Sequence, residues 1–89
     1  MIKEKVTVTN SEGIHARPAS SLVRLASKFS SDFYIYSHGY QINGKSILGV
    51  LTLAAECGAE LELEFRGNDE KEAMKAVLDL FKNNFKENG

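Results

Sequence analysis

A chain of 89 residues is read as one domain over 1–89, with a core large enough to fold unaided and no room for a second. A formal net charge of −1 offers no global field to recruit nucleic acid or an anionic membrane surface, and no apolar run approaches the roughly 20 residues that span a bilayer. The stretch Met1-Ile2-Lys3-Glu4-Lys5 lacks the apolar core of a signal peptide, and the single Cys57 suits a reducing compartment, so a cytoplasmic location is expected.

From Ile2 the side chains alternate, with Ile2, Glu4, Val6 and Val8 on one side and Lys3, Lys5, Thr7 and Thr9 on the other, the period of a half-buried strand. Asn10-Ser11-Glu12-Gly13 is turn chemistry. Pro18 suits the first turn of a helix. Ala19, Leu22, Val23, Ala26 and Phe29 then recur at the spacing of one helical face, so a helix is expected to open within a residue or two of His15 and run toward Phe29. Arg24 and Lys28 lie toward its C-terminal half, where cations favour the dipole. Ser30-Ser31-Asp32 breaks it. Phe33-Tyr34-Ile35-Tyr36 is a strand by propensity. Ser37-His38-Gly39 turns the chain back into Tyr40-Gln41-Ile42-Asn43, and a hairpin with a loop of three to four residues is expected.

Asn43-Gly44 could itself turn a hairpin, but Ser46 reads better as the N-cap of a short helix running from Ser46 to about Ala54. That run is apolar at Ile47, Leu48, Val50, Leu51 and Leu53, too wide a coverage for a helix so short to bury. Part of it is therefore expected to be exposed as a docking surface; a short helix buried all round is the alternative. Glu56-Cys57-Gly58 ends the run. Glu60-Leu61-Glu62-Leu63-Glu64-Phe65 alternates strictly, polar out and apolar in, and is the clearest strand of the chain. After Gly67-Asn68, Asp69 with Glu72 has the form of a capping box. Ala73, Met74, Val77, Leu78, Phe81 and Phe85 supply the buried stripe of a last helix, with Lys82 and Lys86 near its negative end. This order implies an α+β open-faced sandwich, a four-stranded, mostly antiparallel sheet with three helices on one face. With no second large apolar face in the pattern, a monomer is expected.

The chemistry concentrates in Gly13-Ile14-His15-Ala16-Arg17-Pro18-Ala19, where Gly13 permits a tight turn. A helix opening there presents unpaired amides, those of Ala16 and Arg17, and a positive dipole end, which together bind anions. Arg17 adds a permanent cation whose fork of donors matches phosphate oxygens. A free imidazole, with a pKa near ~6.5, offers a neutral nitrogen nucleophile in the same place. A lone histidine near a helix start is more often a solvated loop residue, and Arg17 alone would be a solvated cation. Together they read as a site where His15 accepts a phosphoryl group and its neighbours hold the charge. His15, His38 and Cys57 are scattered without metal-ligand spacing, so no metal and no cofactor are expected.

That motif, followed about thirty residues later by Lys45-Ser46-Ile47-Leu48-Gly49-Val50, resembles the histidine-containing phosphocarrier HPr of the bacterial phosphotransferase system, from about Lys5 to the last helix. The resemblance implies a phosphoryl group carried on Nδ1 of His15. It implies Enzyme I, charged from phosphoenolpyruvate, as donor and the Enzyme IIA domains of sugar permeases as acceptors. Such a protein is a stoichiometric carrier, consumed and regenerated, and not an enzyme. At Ser46 an N-cap role worth roughly 1 kcal/mol would suffice, but in many HPr-like proteins the matching serine is phosphorylated by an ATP-dependent HPr kinase/phosphorylase. A catabolite-control transcription factor is a further implied partner.

Docking is expected at Ile47, Leu48 and Leu51, flanked by Ser20, Arg24 and Lys45. The family often has methionine at one or two of these apolar positions; Leu48 and Leu51 keep the hydrophobicity and lose some adaptability. Ala54, where glycine is common, and Arg66 are further departures from the family pattern. The rival readings are a regulatory paralogue working through Ser46 and docking, and a nitrogen-branch carrier sharing the His15 chemistry.

Overall fold

The computed structural model describes residues 1–53 and 55–85. Its elements are β1 (Ile2–Thr7), α1 (Ala16–Ala26), β2 (Asp32–Ser37), β3 (Tyr40–Asn43), α2 (Ile47–Thr52), β4 (Glu60–Arg66) and α3 (Glu70–Lys82). The strands form one sheet in the order β1-β4-β2-β3, every pair antiparallel. Strict alternation in β4 sends Leu61, Leu63 and Phe65 to one face. There the register sets Phe65 opposite Ile2 on β1 and Phe33 on β2, and Leu63 opposite Ile35. Phe33 and Phe65 stack with ring centroids 4.8 Å apart. The apolar stripes of the helices close over this face: Ala19, Leu22 and Ala26 from α1, Val50 from α2, and Ala73, Val77, Leu80 and Phe81 from α3. Each fully buried Leu, Val, Ile or Phe contributes about 1.5–3 kcal/mol relative to exposure, so this single layer of side chains is what holds sheet and helices together.

Four local expectations are corrected. Ser37 pairs with Tyr40, leaving a two-residue loop, His38-Gly39, instead of three to four. Both residues have positive φ, 50° and 80°, the primed turn whose twist matches antiparallel strands. Helix α1 stops at Ala26. Beyond it the amides of Lys28 and Phe29 bond to the carbonyls of Leu25 and Ala26, tightening the chain into a turn while Phe29 still packs on the core. Glu64, though on the polar face of β4, is only 1 % exposed. Arg66 Nη2 lies 2.6 Å from its carboxylate, Tyr36 Oη donates to it at 3.2 Å, and Lys3 Nζ stands 3.9 Å away. Burial, and then the hydrogen bond to Glu64, push the Tyr36 phenol above its ordinary value.

The capping box at α3 does not form. Asp69 is the N-cap residue, but its side chain caps nothing in its own helix. Instead it accepts from the amides of Ser30 and Ser31, each at 2.9 Å, and from the Ser31 hydroxyl. The hydroxyl first, then the amides, stabilise the charged form and draw the carboxyl down to about 2. Next to it, Glu70 accepts from the Gly67 amide at 3.0 Å and pairs with the N-terminal ammonium at 3.1 Å, which lowers its pKa too. The C-terminus of α3 closes in a Schellman motif. Asn84 N–H bonds to Phe81 and Phe85 N–H to Leu80, with Asn84 and Phe85 both at positive φ. The expected roles of Ala54 and Lys86 lie outside the described residues.

Candidate functional site

The loop between β1 and α1 is built on short-range bonds. Gly13 N–H donates to Asn10 O at 3.1 Å, and Asn10 Nδ2 donates to Gly13 O at 2.5 Å. Gly13 has φ +71°, and a Cβ there would sit 2.4 Å from the Ala55 carbonyl oxygen. That oxygen accepts the Ile14 amide at 2.8 Å. The buried Ile14 and this bond therefore pin the chain one residue before His15.

His15 is the N-cap of α1, in extended conformation, and its side chain makes no capping bond. The amides of Ala16 and Arg17 find no acceptor among the described residues, and Pro18 has no amide to satisfy. The ring is half exposed, at 48 %, and its Nε2 lies 2.9 Å from Glu12 Oε2. A carboxylate only accepts, so a neutral ring in this pair carries its hydrogen on Nε2 and leaves the lone pair on Nδ1. Arg17 is exposed and its guanidinium makes no hydrogen bond or ion pair with the described residues.

His15 and Arg17 open on a depression of about 700 Å³. Asn10, Ser11 and Glu12 form one wall, Ser21 and Arg24 of α1 another, and Asn84 and Phe85 a third. The last wall comes from the far end of the chain. The Schellman turn presents Asn84, whose side-chain oxygen accepts from Thr9 Oγ1 at 2.5 Å, while Phe85 packs edge-on to Phe81 at 4.8 Å. From the sequence alone Glu12 reads as a turn residue and Phe85 as core, and nothing marks Asn84. Glu12 had a legible signal, a carboxylate three residues before a histidine; Asn84 had none within reach of His15.

At α2, Ser46 is the N-cap and its Oγ accepts the Gly49 amide at 3.1 Å. Val50 alone of this helix is buried. Ile47, Leu48 and Leu51 are 40 %, 73 % and 38 % exposed, so the apolar coverage divides between core and surface, and the fully buried alternative is excluded. Gly49 keeps the helix close to β3, since a Cβ there would lie 3.2 Å from Ile42 Cγ2. Ser20, Val23 and Arg24 of α1, and Ser27 just past its end, share with Ile47 a shallow groove of about 360 Å³. Arg24 thus borders both this groove and the depression at His15. Lys45 is not part of the groove: its Nζ donates to Phe29 O at 2.7 Å, tying the α2 entrance to the end of α1. His38 sits in the hairpin loop and the exposed Cys57 Sγ lies 3.8 Å from Thr9 O. Among the described residues no cluster of His, Cys, Asp and Glu could hold a metal, and no helix is long and apolar enough to cross a membrane.

Four antiparallel strands under three helices, with a histidine at the mouth of the first, are the architecture of the small phosphocarriers of the phosphotransferase system. Residues 2–83 match the PTS-HPr family model, described as the PTS HPr component phosphorylation site, and the chain belongs to the HPr family. It is 45 % identical over 87 residues to the phosphocarrier protein HPr of Treponema pallidum, covering 98 % of this chain and 99 % of that one. The crystal structure of an HPr from Thermoanaerobacter tengcongensis superposes with a TM-score of 0.93 at 38 % identity, covering 100 % of both chains. The HPr-like protein Crh of Halalkalibacterium halodurans is 40 % identical over 78 residues, 88 % of this chain and 93 % of that one.

Proposed function

We propose that this chain accepts a phosphoryl group on Nδ1 of His15 from phosphorylated Enzyme I and passes it to Enzyme IIA domains of sugar permeases. It does so as a single cytoplasmic HPr-like domain over 1–89, monomeric and stoichiometric. The observation that carries the reading is the half-exposed His15 ring with Nε2 engaged by Glu12, and an Arg17 guanidinium that has no partner among the described residues. In-line attack by Nδ1 places the transferring phosphoryl at the start of α1. There the Ala16 and Arg17 amides and the Arg17 side chain can take its equatorial oxygens. Preorganised donors of this kind stabilise charge spread over those oxygens and cost no reorganisation when it develops. The partners dock on Ile47, Leu48 and Leu51, with Ser20 and Arg24 on the adjoining rim; Lys45, tied to Phe29, contributes by holding α2 in place.

Ser46 is the proposed regulatory position. A phosphate there would join a helix N-terminus, where negative charge is electrostatically favoured, so the fold would tolerate it. It would also set a dianion beside exposed Ile47 and Leu48, opposing partners that expect phosphate at His15. HPr kinase/phosphorylase would write that signal and a catabolite-control transcription factor would read it. The match to Crh favours one second reading, a mainly regulatory protein. Retention of His15, which the regulatory paralogue typically lacks, favours the carrier.

Two incubations followed by mass measurement separate the two. Phosphoenolpyruvate with Enzyme I should add an acid-labile phosphoryl group that is lost in His15→Ala. ATP with the kinase should add an acid-stable one that is lost in Ser46→Ala. No acid-labile product with a competent Enzyme I removes the carrier reading.

A further inference from the structure

We infer that Glu12 is a positioning residue for phosphoryl transfer: it orients the His15 ring, keeps the hydrogen on Nε2 and carries the counter-charge to the ring while Nδ1 is bonded to phosphorus. This deepens the proposed function and rests on it for the transfer step. The geometry that points to it is the 2.9 Å contact of Glu12 Oε2 with His15 Nε2. Glu12 is not on a loose segment. It lies inside the turn closed by the reciprocal bonds of Asn10 and Gly13, and the Ile14 amide anchors the next step of the chain to Ala55. Both the carboxylate and the imidazole are thus carried on one short, pinned piece of backbone.

The chemistry follows from what each nitrogen must do. To attack, Nδ1 needs its lone pair, so the ring hydrogen must reside on Nε2. An ionised carboxylate at Nε2 favours that tautomer and that ring orientation, the role the aspartate plays toward the histidine of a serine-protease triad. During transfer the Nδ1 lone pair forms the N–P bond, and the bond from phosphorus to the donor breaks with its pair left on the donor. No proton has to leave: the Nε2 hydrogen stays on a ring that is now cationic, facing the Glu12 anion. When the group moves on, the N–P pair returns to Nδ1 and the neutral Nε2–H ring is restored. The same carboxylate therefore assists both directions, as a reversible carrier requires. The other charged groups lining the depression are Arg17 and Arg24, both cations, so Glu12 is the one anion there among the described lining residues.

The pair is open to solvent, with 48 % of the His15 side chain and 78 % of the Glu12 side chain exposed, so the effect is modest. An exposed pair of this kind corresponds to a factor of about five at most. The test uses the full chain as substrate of Enzyme I and phosphoenolpyruvate, with Glu12→Ala and Glu12→Gln. We expect kcat to fall about fivefold in Glu12→Ala with KM for the chain unchanged, the signature of an interaction made in the transition state. Two-bond nitrogen–proton NMR of the unphosphorylated protein at about pH 9, where a free imidazole is neutral, should show Nε2–H in the wild type. In Glu12→Ala the pattern should relax toward the free-imidazole mixture. Glu12→Gln keeps an acceptor oxygen without the charge, so its ring signals should stay near wild type while its kcat falls below it. Ring signals and kcat unchanged in Glu12→Ala, or a loss confined to KM, overturn the proposal. A wild-type chain that takes no phosphoryl group overturns the carrier reading instead, and the ring signals of the free protein then still decide whether Glu12 sets the tautomer.

Discussion

Replacing Gly13 with alanine tests how firmly the His15 loop depends on one backbone conformation. Gly13 has φ +71°, and the added Cβ would meet Ala55 O at 2.4 Å and Glu56 Cα at 3.0 Å. Both are backbone atoms, so no side-chain rotation relieves the clash. The left-handed conformation alone costs a residue with a Cβ roughly 1–2 kcal/mol. Moving the carbonyl away gives up the Ile14 N–H bond of 2.8 Å to the same oxygen, a further loss of about 0.5–1.5 kcal/mol, or more if the amide stays buried and unpaired. The sum is about 1.5–3.5 kcal/mol, a large share of the stability of a small domain.

Gly39 supplies the control. It too has positive φ, +80°, but a Cβ there meets nothing within 4 Å. Gly39→Ala should therefore show the conformational cost without the clash, about 1–2 kcal/mol. Urea unfolding monitored by far-UV circular dichroism measures both. With a slope of about 1.5 kcal/mol/M, the midpoint should drop by about 1–2.3 M for Gly13→Ala, the clash setting it toward the upper end, and by about 1 M for Gly39→Ala. Phosphoryl acceptance should fall in the first variant only, since only that loop carries His15. Equal losses of stability in the two variants would refute the claim that contact with Ala55 makes Gly13 irreplaceable.

The carboxylate of Asp69, drawn from its ordinary 3.8 to about 2 by the Ser31 hydroxyl and the serine amides, contributes stability that is present above pH ~4 and lost as pH falls through about 2. Asp69→Asn should be less stable than wild type at neutral pH and should lose less on acidification across that window. Glu70, shifted in the same direction, leaves some decline in both. Urea midpoints taken down the pH scale would decide it, parallel curves being the adverse result. Leu48 is 73 % exposed, so Leu48→Glu should change folding stability by no more than about 0.5 kcal/mol. It should nevertheless raise KM for phosphorylation by Enzyme I at least about fivefold if α2 is the docking surface. Wild-type kinetics in that variant would move docking elsewhere.

Much of this molecule was legible one element at a time. The alternation in β4, the helical spacing from Ala19 to Ala26 and the serine ahead of Ile47 each announce a structure that depends on neighbours a few residues away. His15 at a helix mouth was legible for the same reason: Gly13 and Pro18 are local signals. The division of α2 between core and surface was one of two readings its apolar spacing left open, and the exposure of Ile47, Leu48 and Leu51 decided it. What escaped were bonds between residues distant in the chain. Asp69 had the right neighbour for a capping box, yet its carboxylate went to Ser30 and Ser31, 39 and 38 positions away. The bond from Lys45 Nζ to Phe29 O, 16 positions back, likewise has no local signal. Glu64 alternates outward as expected and is nevertheless buried, because Lys3 of β1 and Tyr36 of β2 join Arg66 of its own strand around the carboxylate.

By itself, then, the sequence determined the element order, the apolar faces that must meet and the chemical character of the Gly13–Ala19 segment. Periodicity, turn residues and caps act over one or two turns of chain and survive without tertiary contacts. Only the tertiary structure decided which acceptor each polar side chain found, and that Asn84 and Phe85 would wall the depression opened by His15. Those outcomes depend on chain closure. A donor commits to whichever acceptor packing brings within about 3 Å, and no local pattern contains that distance.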